Sequence, residues 1–384
     1  MLRVGLDTTP LIGPRTGVGQ FTAGLLQALG PLAEVTAVEM TWRGRRPGSR
    51  PLPARPMRAV WRRTNFPPIE WWTGPLDLMH GTNYVVPPTK RAAQLASVHD
   101  LTAVHFPTLC THDTLEYPAL VKRALGRGAH IHCDSRFVAD EVIQWSKCSA
   151  ERVHVVAPGI PTSHMLQPPR TQLSPLLSGA PNATPGRIAD ELTDQLTGQI
   201  GGRPFALVLG TIEPRKDHPS VLRAFAEVCT SDPDLVLVVA GADGWGDAAY
   251  VATHDELPEK VRARIIRART VSDLQRDVLV AGARMLVYPS LYEGFGFPPL
   301  EAMAAGVPVI ATDAGSLAEV LGPAAAFVRP GDVDGLAVQM LRVHTDDAVR
   351  ASLVARGTAQ AAGYSWERCA AEMLTVYERT IAAK

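Results

Sequence analysis

The sequence predicts an α/β protein with two doubly wound domains that face each other across a cleft. Short apolar segments alternate with stretches of helical periodicity along most of the chain, a pattern typical of parallel strands covered by helices on both faces. Between residues 161 and 204 the alternation stops, and Pro, Ser, Thr and Gly become frequent, which indicates a connection between domains. The 384 residues are enough for two domains that each have a core.

Each element follows from a short, almost wholly apolar run or from a helical repeat. In the first half, strands are predicted at 4–6, 76–79, 95–98, 130–133 and 153–156, with helices at 20–29 and 137–145. In the second half, strands are predicted at 205–209, 235–240, 285–288, 307–311 and 326–328, with helices at 220–228 and 317–320. A weak helical pattern at 188–196 lies in the connection. The predicted domains are 1–165 and 204–365, with a connector at 166–203 and a last helix within 366–384.

The composition argues against several classes of protein. Lys plus Arg and Asp plus Glu number 38 each, so no overall field predicts binding to nucleic acid. The five cysteines are scattered without a Cys-x-x-Cys pair, which argues against a disulfide framework or a zinc site and favours a reducing compartment. The N-terminus lacks the apolar core of a signal peptide, and no run approaches the roughly 18 apolar residues of a membrane span. These features predict a cytosolic protein.

The most informative segment contains two glutamates, Glu293 and Glu301, which are separated by seven residues. The strand predicted at 285–288 leads into a glycine loop, and a helix pattern follows the loop, so that backbone N–H groups and the helix dipole face an anion. A carboxylate does not favour phosphate, so Glu293 is expected to serve a hydroxylated ring beside it. Glu301, expected in the first helical turn, can accept hydrogen bonds from a second pair of hydroxyls. A phosphate between two polyols describes a nucleotide sugar; the alternative is an ordinary helix N-terminus.

Two adjacent cations, Arg215 and Lys216, follow the strand predicted at 205–209. Ligands of doubly wound sheets bind at the carboxyl ends of the strands. There the planar fork of an arginine and the compact charge of a lysine can clamp a pyrophosphate. A solvated Arg-Lys pair in a turn is the alternative.

The string from Tyr292 to Ala302, followed by Gly306-Val307-Pro308-Val309, resembles the donor-site signature of retaining glycosyltransferases of family 4. These enzymes have the GT-B fold of two Rossmann-like domains. Glu213-Pro214-Arg215-Lys216-Asp217 is similar to the family's Glu-Pro-Arg-Lys-Asn element, although Thr211 stands where many relatives carry an arginine. The resemblance covers most of the chain and is weakest at 44–72 and at 161–204.

The resemblance implies transfer of a hexose, with retention and without a metal, from a nucleoside-diphosphate sugar to an acceptor hydroxyl of a glycan or glycolipid. GDP-mannose is the donor that the Glu-Pro-Arg-Lys element suggests. Glu293 would hold sugar hydroxyls and Glu301 the ribose. The first domain would bind the acceptor, and the last helix would return to it. The leaving diphosphate would be stabilised by Arg215, Lys216 and the amides of Gly294, Phe295, Gly296 and Phe297.

Two further groups of candidates lie in the first half. Gly17 and Gly19 follow the first strand, where glycines permit positive φ and close backbone approach. The resemblance implies a loop that closes over the donor phosphate, and a plain helix start is the alternative. His99 follows the strand at 95–98 and is expected to project into the cleft mouth, where it can bond a sugar hydroxyl. Its Val-His-Asp-Leu context resembles the family's active-site histidine, whereas His80 is a weaker candidate and Asp134-Ser135 is expected to cap a helix.

Residues 42–72 combine arginine and tryptophan without an acidic residue between Arg43 and Ile69. The arginines are Arg43, Arg45, Arg46, Arg50, Arg55, Arg58, Arg62 and Arg63, and the tryptophans are Trp42, Trp61, Trp71 and Trp72. Three interpretations remain open: peripheral contact with the inner face of an anionic membrane, contact with a phosphate-bearing acceptor, and a solvated loop.

Two motifs are set aside. Gly241-Ala242-Asp243-Gly244-Trp245-Gly246 lacks dinucleotide-binding spacing and is interpreted as a loop. Asp332-Val333-Asp334 is interpreted as a helix cap, so no catalytic metal is predicted. The favoured hypothesis is a retaining glycosyltransferase. The alternatives are a GT-B sugar-nucleotide epimerase, which needs no acceptor, and a non-catalytic nucleotide-sugar-binding protein.

Overall fold

A computed structural model describes residues 1–12, 16–41, 54–160, 196, 198–244 and 246–384. The chain divides into a first unit, Met1–Ile160 with Tyr364–Lys384, and a second unit, Pro161–Gly363. The predicted connector and its weak helical pattern lie almost wholly outside the described residues. Among the described helices, none is both long enough and apolar enough to cross a bilayer.

The described part of the first unit contains a parallel six-stranded sheet in the order β2-β1-β3-β4-β5-β6. Its strands are β1 (Arg3–Asp7), β2 (Glu34–Val38), β3 (Leu78–Gly81), β4 (Ala93–Val98), β5 (His130–Cys133) and β6 (Val153–Val155). Its helices are α1 (Gly17–Leu29), α2 (Ala54–Trp61), α3 (Glu70–Thr73), α4 (Thr102–His105), α5 (Tyr117–Gly126) and α6 (Arg136–Ser146). Short 3-10 turns lie at Thr9–Leu11, Pro107–Leu109, Thr114–Glu116 and Ala150–Arg152.

The described part of the second unit contains another parallel six-stranded sheet, in the order β12-β11-β10-β7-β8-β9. Its strands are β7 (Phe205–Leu209), β8 (Val236–Ala240), β9 (Ile265–Ala268), β10 (Met285–Tyr288), β11 (Val309–Thr312) and β12 (Ala326–Val328). Its α-helices are α7 (His218–Ser231), α8 (Ala248–Glu256), α9 (Glu259–Arg262), α10 (Asp273–Gly282), α11 (Phe297–Ala304), α12 (Leu317–Leu321), α13 (Val333–Thr345) and α14 (Asp347–Ala361). After β7 the chain adds strands on one side of it (β8, β9) and then on the other side (β10, β11, β12), so the strand order reverses between β7 and β10. Ligands are therefore expected beyond the carboxyl ends of these two strands.

The C-terminal helix, α15 (Trp366–Ala382), belongs to the first unit and packs on α1. A Cβ atom on Gly24 of α1 would overlap the indole ring of Trp366, so the two helices need glycine at this point. The Ile160 amide donates to the Tyr364 carbonyl at 3.2 Å, where the chain leaves and re-enters the unit. This contact places the unit boundaries a few residues before the predicted ends of the domains at 165 and 365.

The predicted α/β fold is confirmed, and all ten predicted strands are present. Two further strands, β2 and β9, were not predicted, and each lies at an edge of its sheet. An edge strand has fewer neighbours to bury it: β2 is largely unburied, and in β9 buried residues alternate with partly exposed ones. Neither strand therefore reads as a continuous apolar run.

Candidate functional site

The loops that follow β7 and β10 meet where the strand order of the second unit reverses. The Leu291 amide donates to the Arg215 carbonyl at 2.8 Å, and Arg215 Nη1 donates to the Tyr292 carbonyl at 2.7 Å. The backbone and the side chain of Arg215 therefore both hold the loop that carries Glu293. The sequence prediction that these two segments share one site is consistent with this geometry.

Glu293 is the centre of a cluster of charged and polar groups, which we call the Glu293 cluster and which also contains Arg215, Lys216 and Tyr288. Glu293 Oε1 lies 2.5 Å from Lys216 Nζ and 2.9 Å from Arg215 Nη1. The Tyr288 hydroxyl donates to the same oxygen at 3.0 Å and accepts from Lys216 Nζ at 2.5 Å. Lys216 also lies over the Tyr288 ring, 4.6 Å from its centroid. Sequence reasoning missed Tyr288 because it closes an otherwise apolar strand.

The electrostatics of the Glu293 cluster follow from burial and from the alternation of charges. Burial alone would raise the pKa of Glu293, but Arg215 and Lys216 outweigh burial and hold this pKa at about 2. Burial lowers the pKa of Lys216, and the Glu293 carboxylate opposes that shift. Burial and the charge of Glu293 raise the pKa of Tyr288 well above its usual range, so the phenol stays a hydrogen-bond donor.

Glu213 adds a second carboxylate, because its Oε1 accepts from Arg215 Nη2 at 2.7 Å. Two cations and two carboxylates therefore lie within one group of contacts. An anionic ligand that binds Arg215 and Lys216 must compete with these carboxylates for the two cations.

The glycine loop after β10 starts α11 as the sequence predicts. Gly296 has φ +97° at the N-cap of α11, a conformation that glycine adopts without strain. Pro298 and Pro299 in the first turn carry no N–H. The amides of Gly296 and Phe297 are consequently those at the helix start that can face an anion.

The loop after β11 supports Glu293 from its backbone side. The Ser316 amide donates to the Glu293 carbonyl at 2.9 Å. Gly315 has φ +61°, and a Cβ atom there would overlap the backbone of Glu293. A side chain at position 315 would therefore displace Glu293, and sequence reasoning missed this support.

Glu301 is placed differently from the prediction. The helix begins at Phe297, so Glu301 is its fifth residue and lies beyond the first turn, and the predicted position in that turn is wrong. Its side chain is only 1% exposed and accepts a hydrogen bond from Arg276 Nη2, on α10. The predicted contact of Glu301 with ribose hydroxyls stays a prediction, and Arg276 was missed by sequence reasoning.

In the first unit, His99 is held on both sides. Its Nδ1 donates to Asp134 Oδ2 at 2.6 Å, and its Nε2 donates to the Thr82 carbonyl at 2.7 Å. Because both partners are acceptors, both ring nitrogens carry protons and the ring is an imidazolium. Burial alone would lower the pKa of His99, but the charge and hydrogen bond of Asp134 outweigh burial and raise it.

The expectation that His99 projects into an open mouth is wrong, because the residue is only 9% exposed. The groups that follow the two neighbouring strands, Thr82 after β3 and Asp134 after β5, enclose the ring. Asp134 is thus the partner of His99, whereas Ser135 caps α6 by accepting from the Val138 amide at 3.3 Å.

His80, the weaker candidate, lies in the core of the first unit. It belongs to a buried series of hydrogen bonds that all run in one direction. The Tyr377 hydroxyl donates to His80 Nδ1 at 2.9 Å, and His80 Nε2 donates to the Ser97 hydroxyl at 2.8 Å. The Ser97 hydroxyl donates to His132 Nδ1 at 2.9 Å, and His132 Nε2 donates to the Val156 carbonyl at 2.9 Å. Burial lowers the pKa of both histidines, which keeps them neutral as this order requires. His80 therefore contributes to packing, and a ligand contact is not supported.

Gly17 and Gly19 lie in the first turn of α1, capped by Thr16, and not in a loop. Neither has a positive φ, so the conformational freedom that glycine permits is not used at these positions. A Cβ atom on Gly19 would lie 3.0 Å from the Pro10 carbonyl oxygen, so the close approach is to the protein's own backbone. Residues 13–15 of the predicted loop lie outside the described part.

The two motifs that were set aside behave as interpreted. Asp332 Oδ1 accepts from the Gly335 amide at 2.8 Å and so caps α13. Residues 241–246 connect β8 to α8, and Ile212 forms a backbone bridge with Asp243 there.

Residues 42–53 of the arginine-rich segment lie outside the described part, but the rest presents an exposed aromatic pair. Phe66 and Trp71 are 57% and 61% exposed, and their ring centroids lie 4.7 Å apart, edge to face. Trp61 by contrast is buried, and its Nε1 donates to the Pro67 carbonyl at 3.0 Å. Arg62, which is exposed, pairs with Glu116 at 3.0 Å.

Comparison with known proteins finds a family that is similar to most of the second unit. Residues 192–360 match the family "Glycosyl transferases group 1". The chain is 29% identical over 303 residues to the O-antigen chain mannosyltransferase B of Escherichia coli, which covers 78% of this chain and 74% of that protein. It is 40% identical over 116 residues to the MMP alpha-(1->4)-mannosyltransferase of Mycolicibacterium hassiacum, which covers 29% of this chain and 28% of that protein.

Among solved structures, the chain is similar to sucrose-phosphate synthase from Thermosynechococcus elongatus. The TM-score is 0.73 at 19% identity, and the match covers 100% of both chains. At this identity the likeness shows the fold.

Proposed function

We propose that this chain belongs to the group 1 glycosyl transferases and that, with its GT-B fold, it is a retaining, metal-independent mannosyltransferase. The donor would be a nucleoside-diphosphate mannose, with GDP as the suggested nucleotide, and the acceptor a hydroxyl of a cell-envelope glycan or glycolipid. Both relatives named above are mannosyltransferases, which supports the sugar. The Glu293 cluster at the switch point of the second sheet is the observation that carries the proposal.

The Glu293 cluster has the groups that the departure of a diphosphate requires. As the glycosidic bond breaks, negative charge develops on the leaving oxygen, and fixed positive groups lower the energy of that state. Arg215 and Lys216 supply two charges, and the helix start at Gly296 and Phe297 supplies backbone amides. Glu293, ionised because its pKa is about 2, accepts hydrogen bonds from sugar hydroxyls.

The remaining predicted residues take roles that the family resemblance or their contacts suggest. Glu301 holds the ribose hydroxyls. His99 is a positioning residue, because both ring nitrogens are engaged: it orients the Thr82 carbonyl and carries a buried positive charge beside Asp134. For Gly17 and Gly19, contact with the donor phosphate rests on the family resemblance and stays a prediction.

A thermal-shift panel tests the proposal. The protein with EDTA is melted with UDP, GDP, ADP and dTDP, and then with the corresponding mannose and glucose nucleotides. One diphosphate is expected to raise the melting temperature, since a ligand that binds only the folded state stabilises it by mass action. Lys216→Met should abolish that shift, whereas Lys260→Met, at an exposed position of the same unit, should retain it.

A dinucleotide and a magnesium arm added to the panel, together with an assay of donor turnover, separate the alternatives. The donor site would be refuted if a dinucleotide stabilised the protein, or if no nucleotide raised its melting temperature. A shift that appears only with magnesium would contradict the metal-free part of the proposal. Donor turnover without an acceptor that yields an isomerised sugar would instead favour an epimerase.

We also propose that the chain works on the cytosolic side and contacts an anionic membrane peripherally through residues 42–72. Its five cysteines are free, which suits a reducing compartment. The exposed Phe66–Trp71 pair lies in the same segment as the exposed Arg62 and Arg63. Aromatic rings suit the headgroup layer, and each basic residue near an anionic surface contributes about 1 kcal/mol.

Sedimentation with lipid vesicles tests this contact. The protein should pellet with vesicles that contain phosphatidylglycerol and not with pure phosphatidylcholine, and the double variant Phe66→Ser/Trp71→Ser should reduce the bound fraction. Leu274→Ser, which removes an exposed apolar side chain of the second unit, is the matched control. Equal binding of the double variant and the wild type would refute the contact.

A further inference from the structure

The carboxylate of Glu301 is buried, and Arg276 on another helix provides a positive partner for it. Its neighbours on α11, Leu300, Ala302 and Met303, are fully or almost fully buried. Arg276, on α10, donates from Nη2 to Glu301 Oε2. The arginine side chain is 22% exposed, so this pair links the buried carboxylate to the surface of the unit.

The position of Arg276 in its own helix is electrostatically unfavourable. α10 begins at Asp273 behind a capping box formed by Ser272 and Gln275. Arg276 is therefore in the first turn, where the positive end of the helix dipole disfavours a cation. The adjacent Asp277, at 3.3 Å, offsets part of this effect. The hydrogen bond to Glu301 connects Arg276 to α11.

We propose that Arg276 is a specificity-determining positioning residue: by keeping Glu301 ionised and oriented, it makes binding of the donor nucleotide depend on its ribose hydroxyls. This inference rests on the proposed function, in which Glu301 holds the ribose. Removal of a neighbouring cation makes a buried carboxyl group take up a proton more readily, because burial disfavours the charged form. A protonated Glu301 would be a weaker acceptor for the 2′- and 3′-hydroxyls than a carboxylate.

Two ionic groups then divide the donor between them. The Glu293 cluster, with Arg215 and Lys216, would bind the diphosphate and the sugar. Glu301, held by Arg276, would accept hydrogen bonds from the ribose hydroxyls. Removal of Arg276 should therefore change the preference for ribose over deoxyribose and leave the affinity for pyrophosphate unchanged.

Calorimetric titration of the full chain tests the inference with GDP, UDP, their 2′-deoxy analogues and inorganic pyrophosphate. The wild type should bind a ribonucleotide roughly tenfold or more tightly than its deoxy analogue, the scale of a lost hydrogen bond to a charged group. In Arg276→Met this ratio should fall towards one, while the affinity for pyrophosphate stays within about twofold, since Arg215 and Lys216 are intact. Arg276→Lys should restore part of the ratio, and Arg342→Met, at an exposed position of α13, should leave it unchanged.

The pH dependence supplies a readout that a merely structural role would not move. In Arg276→Met the ribose preference should return as the pH rises and Glu301 loses its proton, whereas Glu301→Gln should show no such return. If Arg276→Met does not fold, Arg276→Lys and Arg276→Gln carry the same test, with the melting temperature as the folding control.

Three outcomes would overturn the inference. If the wild type binds diphosphates and pyrophosphate without any ribose preference, Arg276 has no such role while the proposed function stands. If the Arg276 variants lower the affinity for all the ligands equally, the residue has only a structural role. If none of these ligands binds the wild type, the proposed donor site itself fails, and the inference fails with it.

Discussion

Replacement of Glu293 by glutamine should destabilise the protein and at the same time strengthen its binding to pyrophosphate. Glutamine keeps the shape and one acceptor oxygen of the side chain but removes the charge that Arg215 and Lys216 share. Two buried cations then lose their common counter-charge. Loss of stability together with gain of affinity is expected only if Glu293 competes with the ligand for these cations.

The magnitude follows from the pKa of Glu293, which is about 2 in the fold against an ordinary 4.5. A shift of this size corresponds to about 3 kcal/mol of stability at neutral pH, at 1.36 kcal/mol per unit. Since the folded pKa is depressed, the contribution is complete above the ordinary value and is lost as the pH falls towards 2. The penalty for breaking a buried ion pair, about 3–5 kcal/mol, is of the same order.

Urea denaturation measures the stability effect. At about pH 7, Glu293→Gln should lower the free energy of unfolding by about 3 kcal/mol. The difference from the wild type should shrink as the pH is lowered from 4.5 towards 2, because the unfolded chain then binds a proton at Glu293 that the folded protein does not. Glu227→Gln, on an exposed turn of α7, is the matched control and should change little.

Calorimetry with pyrophosphate measures the binding effect. Removal of one competing carboxylate should increase the affinity for pyrophosphate roughly tenfold, because a charge contact at a few ångströms in a partly screened site is lost. Sugar transfer should fall, because the neutral amide oxygen is a weaker acceptor for the sugar hydroxyls than the carboxylate. If Glu293→Gln is as stable as the wild type and binds pyrophosphate no more tightly, the view of Glu293 as a shared counter-charge is wrong.

Three further predictions concern single contacts. Lys216→Met should lower the affinity for a nucleoside diphosphate at least about tenfold in titration calorimetry, because a charge-assisted contact is lost. An unchanged affinity would show that the diphosphate binds elsewhere. Asp134 raises the pKa of His99 above its ordinary 6.5. The contribution of protonated His99 to the stability of the fold is therefore complete below pH 6.5 and is lost as the pH rises through the folded pKa. Melting curves of the wild type should show this loss, and those of Asp134→Asn should not. Gly24→Val should detach α15 by a clash with Trp366, at a cost of several kcal/mol in urea denaturation; a native-like stability would contradict that packing.

The sequence was sufficient to predict the strands in the interior of each sheet, because their apolar character is continuous. The edge strands β2 and β9 carry Glu34, Thr36 and Arg267 on partly or fully exposed positions. Their patterns therefore resemble those of loops or surface segments. The other two edge strands, β6 and β12, are also only partly buried, but their runs are mostly apolar and were therefore predicted.

The candidate site was partly predictable for a related reason. Arg215, Lys216 and Glu293 each follow a recognisable strand, and the rule for doubly wound sheets brings such positions together. The environment of His99 was not predictable, because it depends on Asp134, which lies 35 residues along the chain. Arg276 and Glu301 likewise meet across two helices, 25 residues apart. A single sequence gives no signal for such a pairing.

The buried relay from Tyr377 to Val156 has a consequence for the order in which the polypeptide matures on the ribosome. His80 Nδ1 accepts its hydrogen bond from Tyr377, and Tyr377 is synthesised only after the entire second unit, Pro161–Gly363. Until then a polar nitrogen in the interior of the first unit has no donor, and the groove for α15 is uncovered. Although N-terminal domains generally fold first during translation, here the first unit can be completed only after α15 has been synthesised. A nascent chain stalled before residue 377 would therefore expose its hydrophobic interior to chaperones.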